Sequence, residues 1–334
     1  FTLNFGNFDV KITAPADHVI AATGSLENES LVLNSIQLER LQSARASFDA
    51  PVVIITEEEA VLNEGSRSDQ TKTWHYKADN VRDFAWVSSR KFIWDAQAVQ
   101  LDQKTTMAMS LYPKEGNPLW EQESTKAVVN TLKTYSEMTI EYPYPVAISV
   151  HTAAIGMEYP MICFNYGRPD KKGDYSSMTK WSMISVIIHE VGHNFFPMII
   201  NSDERQWSWM DEGLNTFLET KTSMEWYPEM PIQLGTPATI KDFMSGEKDF
   251  MRPIMTNSEN ILFFGNNAYS KPSAALFLLR ETIMGPELFD YSFKEYARRW
   301  AFKHPKPADF FRTMEDASAI DLDWFWRGWF YTTD

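Results

Sequence analysis

The sequence predicts an α+β protein, with a β-rich N-terminal domain at residues 1–114 and a mostly helical domain at residues 115–334. Three observations predict it. Apolar residues recur with period two in short runs before residue 113, and at helical spacing after residue 120. Between the two regimes lies a turn-rich stretch, Pro113-Lys-Glu-Gly-Asn-Pro118. A length of 334 residues suits two domains, and 44% apolar content with 22 Phe, 13 Tyr and 12 Trp is ample for a sizeable core.

In the first part, Phe8, Val10 and Ile12 alternate with Asp9, Lys11 and Thr13, the periodicity of a half-buried strand. Val52 to Ile55 reads as a buried strand that runs into a solvated acidic end at Glu57-Glu58-Glu59. Trp74 to Ala78 and Phe84 to Val87 continue the β pattern, with Asn63 to Asp69 as an exposed turn before them. His18 and His75 have no cysteine or carboxylate at ligand spacing and read as surface or sheet histidines.

The second part opens with a helix from Trp120 to Met138, one face formed by Val128, Val129, Leu132 and Tyr135, ended by Pro143-Tyr-Pro145. Ala147 to Thr152 is a short strand, and Gly156-Met-Glu-Tyr-Pro160 runs into Met161 to Phe164. The apolar run Met178 to Phe196, with Ser176 and Ser177 as candidate N-caps, predicts a helix buried nearly all round that stops near Pro197. After the turn-prone Asn201 to Arg205, Ser208 with Asp211 reads as a capping-box variant. It would open a helix with Leu214, Phe217, Leu218 and Met224 on its apolar face. Further helices are expected over Pro272 to Ile283 (closed by Gly285), Pro286 to Trp300, Pro307 to Ala317 and Leu322 to Tyr331. Trp324, Trp326 and Trp329 on the last of them read as packing.

Composition narrows the partners. A formal charge of −14 argues against nucleic acid and anionic membrane surfaces, which both attract a basic face. Cys163 is the only cysteine, so there is no intrachain disulfide and no thiolate metal cluster. No run approaches the 18 apolar residues of a membrane-spanning helix, so no integral membrane segment is expected. The chain begins with Phe1 and lacks a basic-then-apolar leader, so it reads as a mature or excised portion. A soluble protein outside the cytoplasm is favoured over a cytoplasmic one.

The chemistry concentrates at His189-Glu-Val-Gly-His193. On a helix, positions i and i+4 lie about 40° apart on one face, so both imidazoles reach one ion, while Glu190 is offset and reaches a ligand of that ion. A catalytic zinc site takes a third protein ligand and keeps one position open. Glu212, in the first turn of the next helix, is placed to supply that ligand from an antiparallel direction. Chance spacing of two histidines is the competing reading, and the Trp209-Met-Asp-Glu-Gly213 context weighs against it. One zinc per chain is expected.

With these pieces in place, residues 74–334 resemble the zinc aminopeptidases of the aminopeptidase N type, which are gluzincin metallopeptidases. The resemblance rests on His189-Glu-Val-Gly-His193, on Glu212 after an eighteen-residue spacer, on Gly156-Met-Glu-Tyr-Pro160 and on Tyr269-Ser-Lys271. Val81-Arg-Asp-Phe-Ala85 is similar to the end of that family's β-rich domain. The resemblance implies a β domain followed by a thermolysin-like, mostly helical catalytic domain. It also implies peptide substrates, and His189, His193 and Glu212 as zinc ligands. Glu190 would be the general base and Tyr269 the oxyanion stabiliser. Gly156 and Glu158 would be substrate-binding residues, with Glu158 the anchor for the substrate's α-ammonium.

Core packing is the competing reading of Tyr269, and Glu158 read without the family is an edge-strand carboxylate paired with a Lys or Arg. Tyr159 stands where the family usually has Asn, and Pro272 where it usually has Gly. The β portion is shorter than the family's, and the helical C-terminal domain of many members is not in this sequence. A zinc endopeptidase, an epoxide-hydrolysing relative and a non-catalytic interaction module are the alternatives. The last is disfavoured because all five proposed ligand and catalytic positions are intact.

Overall fold

The computed structural model describes residues 2–153, 156–246 and 248–333. They form two compact units. Asn4–Lys133 with Glu141–Asn194 contains every described strand, and Phe195–Asp334 with Thr134–Ile140 is helical. No helix among the described residues is long and apolar enough to cross a membrane.

The strand-bearing unit begins β1 (Gly6–Pro15), β2 (Val19–Ala22), β3 (Ser25–Leu26), α1 (Glu29–Val32), α2 (Ser35–Arg45), β4 (Val52–Ile55) and α3 (Glu57–Gly65). It continues through β5 (Thr71–Val81), β6 (Trp86–Ser89), β7 (Ile93–Gln100), β8 (Thr105–Tyr112) and most of α4 (Leu119–Met138). β9 (Val146–His151), β10 (Gly156–Tyr159), β11 (Ile162–Asn165) and α5 (Ser177–Gly192) complete it. The sheets run β1-β5-β3, β2-β6 and β10-β11-β9-β8-β7-β4. Along β1 the apolar side chains face inward and Asp9, Lys11 and Thr13 face solvent, as the period-two pattern predicts. His75 is a sheet histidine, its Nε2 2.6 Å from Asp9 Oδ1 on the paired strand.

Two features of this unit depart from the sequence reading. Glu57 to Glu59 is not a strand end but the first turn of α3. The Thr56 hydroxyl accepts from Glu59 N–H, the Glu59 carboxylate accepts from Thr56 N–H, and the acidic first turn complements the helix dipole. That helix also takes up the first residues of the expected 63–69 turn. Second, the six-stranded sheet runs across residue 114, because β8 pairs in parallel with β9. The strands before and after the Pro113–Pro118 turn therefore lie in one compact unit, and the expected division at 114/115 falls inside it. β7 also carries a buried carboxylate, Asp95, which accepts hydrogen bonds from Tyr112 and Thr125. Burial raises its pKa to about 7.

The helical unit contains the end of α4, then α6 (Leu214–Trp226), α7 (Pro237–Met244), α8 (Lys271–Leu278), α9 (Pro286–Trp300), α10 (Pro307–Ser318) and α11 (Asp323–Trp326). α9 begins and ends as predicted. Gly285 holds φ +81° ahead of Pro286, a conformation that costs glycine little. The core is aromatic, with Phe217 edge-on to Phe277, Phe289 and Phe293, and Tyr296 edge-on to Phe310. Trp326 stacks on Phe311 as the packing reading expects, whereas Trp324 is exposed. Met224, assigned to the apolar face of α6, is exposed as well; the buried face is Leu214, Phe217 and Leu218.

Candidate active site

In the strand-bearing unit, the site is built on the end of α5. Ser176 is the N-cap, its hydroxyl accepting from Thr179 N–H. The first turn is open, with Met178 60% exposed, but from Met183 onward the helix is buried against β9, β10 and β11. The helix ends at Gly192, and His193 sits at the C-cap, earlier than Pro197 would require.

At this end the two imidazoles stand perpendicular with Nε2 atoms 3.0 Å apart. Two ligands of a tetrahedral zinc with bonds of about 2.0–2.1 Å lie about 3.3 Å apart, so this donor pair fits the metal. Glu190 is buried beside them. Its neighbour across the fold is Gly156 at the start of β10. A Cβ built at that glycine would lie 2.2 Å from Glu190 Oε1 and 3.0 Å from Val186 Cγ2, so only glycine lets the strand approach the carboxylate this closely.

Two residues on, half-buried Glu158 presents a carboxylate oxygen that lies within 4.8 Å of one from Glu190 and a ring nitrogen of His193. Two carboxylates this close form an anionic corner that favours a cationic partner.

Asn194, which sequence reasoning passed over, ties the corner together. Its Oδ1 accepts from Met161 N–H at 2.7 Å and from the Tyr142 hydroxyl at 3.2 Å, while its Nδ2 donates to Val191 O. The turn joining β10 to β11 is thereby fastened to the end of α5. An amide side chain inside the apolar run, directly after the second histidine, was the available signal. Cys163 on β11 is buried, and desolvation raises its thiol pKa far above the usual range, so it is an inert packing residue.

In the helical unit, Glu212 lies on a wide helical turn, Trp209–Gly213, that leads into α6. The capping box expected at Ser208 does not form. Ser208 already has helical dihedrals, and its hydroxyl donates to Glu204 O and pairs with Ser258. Tyr269 lies on a second wide turn, Gly265–Ser270, ahead of α8, and donates its hydroxyl to Glu212 Oε1 at 2.6 Å. The turns are seated against each other. A Cβ at Gly213 would come within 2.5 Å of Pro272 Cγ, so Pro272, a departure from the expected family pattern, is part of what aligns Glu212 with Tyr269. Thus His189, Glu190, His193, Gly156 and Glu158 are arranged within one unit, and Glu212 and Tyr269 within the other.

Among curated proteins, human glutamyl aminopeptidase is 24% identical over 207 residues, 59% of this chain and 22% of that protein. Xenopus laevis leukotriene A-4 hydrolase is 25% identical over 190 residues, 53% of this chain and 30% of that protein. The matches thus span less than a third of those relatives' length. Among solved structures, an M1 zinc metallopeptidase from Deinococcus radiodurans superposes with a TM-score of 0.70 at 15% identity, covering 98% of this chain and 64% of that one. Legionella pneumophila aminopeptidase A in complex with aspartic acid gives 0.69 at 13% identity, over 98% and 35%. The fold therefore has the architecture expected, a strand-rich first part and a helical second part. The description "Peptidase family M1 domain" matches residues 120–329, well over half of the sequence, and on that match the chain belongs to peptidase family M1.

Proposed function

We propose that this chain is the catalytic portion of a zinc-dependent aminopeptidase that releases N-terminal residues from peptides. In this reading His189, His193 and Glu212 hold the zinc, Glu190 is the general base, Tyr269 stabilises the oxyanion, and Glu158, beside Gly156, binds the substrate's α-ammonium. The observation that carries the reading is the convergence of Glu158, Glu190 and His193 within 4.8 Å, which sets a spare carboxylate beside the base and one of the metal-binding imidazoles.

When bound, zinc supplies a polarised scissile carbonyl and a water whose pKa falls to about 7. Glu190 takes the proton of the attacking water and passes it to the leaving amine, a role worth roughly 10²–10⁴ in rate. Its close fit against Gly156 supports a fixed orientation for that transfer. Tyr269 donates its hydroxyl to the developing oxyanion, and one such donor is worth about 3–4 kcal/mol. The Tyr269–Glu212 hydrogen bond supports the placement, since it holds the phenol beside a ligand of the proposed ion, and its single proton turns from Glu212 to the oxyanion as that charge develops. Glu158 makes a charge-assisted bond to the ammonium at a set distance from the scissile carbonyl and so measures one residue from the N-terminus.

The test compares free aminoacyl substrates with their N-acetylated counterparts. Free substrates are expected to be cleaved much faster, because acetylation leaves Glu158 facing a neutral group. Glu158→Ala should remove most of that difference by slowing the free substrates. Equal cleavage of free and blocked peptides would replace the aminopeptidase reading with a zinc endopeptidase.

A further inference from the structure

Within the strand-bearing unit, the hairpin β10–β11 carries both Gly156 and Glu158. It closes on a two-residue turn, Pro160-Met161, since Tyr159 pairs with Ile162. Met161 holds φ +65°, in the left-handed region that residues other than glycine enter at a cost. The surroundings must hold such a turn in place, and each polar backbone group of its two residues has a partner. Met161 N–H donates to Asn194 Oδ1 at 2.7 Å, and Met161 O accepts from Ile148 N–H at 2.8 Å. The buried Pro160 carbonyl accepts from the Thr23 hydroxyl at 2.9 Å. Ile148 and Asn194 belong to the neighbouring strand and helix end. Thr23 comes from far upstream, 137 positions before Pro160.

Thr23 is itself fixed. It directly follows β2 and is fully buried. Its N–H donates to Ala85 O at 2.9 Å, and its hydroxyl oxygen accepts from Ala85 N–H at 3.0 Å. The single hydroxyl proton is therefore left for Pro160 O. Ala85 closes the Val81 to Ala85 stretch, so the end of the β-rich part is fastened to the hairpin turn through this one side chain. Strand side chains alternate, which puts Glu158 on the face of β10 that Gly156 turns to Glu190. Glu158 thus lies between two fixed points, the close fit at Gly156 and the clamped turn that begins two residues beyond it. We propose that Thr23 is a positioning residue for the substrate anchor, holding the hairpin so that the Glu158 carboxylate meets the α-ammonium at a constant distance. The β-rich part of the chain then contributes to exopeptidase selectivity without touching the substrate. The inference rests on the role given to Glu158 above.

The experiment compares alanyl-p-nitroanilide with its N-acetylated counterpart. Thr23→Val keeps the shape of the side chain but takes the donor from Pro160 O. For the free substrate kcat/KM should fall about tenfold, mainly through KM, while hydrolysis of the acetylated substrate and bound zinc stay at the parent level. Thr23→Ser restores the hydroxyl and should recover the parent value. In a Glu158→Ala background Thr23→Val should change nothing further, because the residue acts through Glu158. Should Thr23→Val fail to fold, Thr23→Ala is judged by the same ratio of free to acetylated cleavage. An unchanged ratio, a fall in kcat shared by both substrates, or an effect that persists in Glu158→Ala overturns the positioning role alone. A parent enzyme that cleaves both substrates equally, or neither, overturns the aminopeptidase reading, and the positioning role with it.

Discussion

The contact between Gly156 and Glu190 makes the sharpest prediction. Gly156→Ala adds one methyl group on β10, 2.2 Å from Glu190 Oε1 and 2.9 Å from its Cδ, against a floor of 3.0 Å that real Cβ contacts essentially never cross. The shortfall is at least 0.8 Å, and Val186 at 3.0 Å blocks an easy sideways move. The carboxylate, held on a buried helix end, must therefore shift, or β10 must move away and take Glu158 with it. Displacing a reacting group by roughly 1 Å costs on the order of 10²-fold in rate, about 2.7 kcal/mol of barrier. The histidines are untouched, so bound zinc should stay at the parent level while kcat/KM for alanyl-p-nitroanilide falls about a hundredfold. The measurements are steady-state kinetics, metal analysis and thermal unfolding on the same preparations. A folded, zinc-replete Gly156→Ala enzyme within a few-fold of the parent would refute the argument, since Glu190 could not then be a base held in place by this strand.

Three further outcomes follow from the same geometry. Glu190→Gln should retain zinc and lose most activity; release of the metal would make residue 190 a ligand instead of a base. Tyr269→Phe should also retain zinc and lower kcat more than it changes KM, as a contact made only in the transition state requires, and an unchanged kcat would return Tyr269 to a packing role. Asp95 should make stability fall as pH rises. Burial lifts its folded pKa to about 7 from 3.8, so between those values the unfolded chain gives up a proton that the folded protein keeps. The loss is at most roughly 4 kcal/mol, complete above about pH 7, and urea unfolding at pH 5 and pH 8 should show it in the parent and much less in Asp95→Asn. Equal slopes in the two proteins would refute it.

The sequence by itself determined those features that depend on neighbours along the chain. The i, i+4 spacing alone makes His189 and His193 share a face, which is what allows the observed 3.0 Å between their Nε2 atoms. Pro286 and Gly285 marked the start of α9 because proline and glycine constrain the backbone at their own positions. The first turn of α3 was equally local. Its capping pair, Thr56 and Glu59, lay in plain view behind an acidic run that resembled a solvated strand end.

Other features belong to the tertiary structure. The six-stranded sheet joins β8 to β9 across 33 intervening residues, Pro113 to Pro145, so no local change of composition could place its limits. In sequence Gly156 is only the first residue of Gly156-Met-Glu-Tyr-Pro160. Only the packing of β10 on α5, 34 positions later, explains why a methyl group is excluded there. The same holds for Asn194 beneath the β10–β11 turn, for Pro272 against Gly213, and for Asp95 between Tyr112 and Thr125. Side-chain periodicity shows which face of an element is buried, but not which distant atom fills the space against it, because that contact is set by the packing of whole elements.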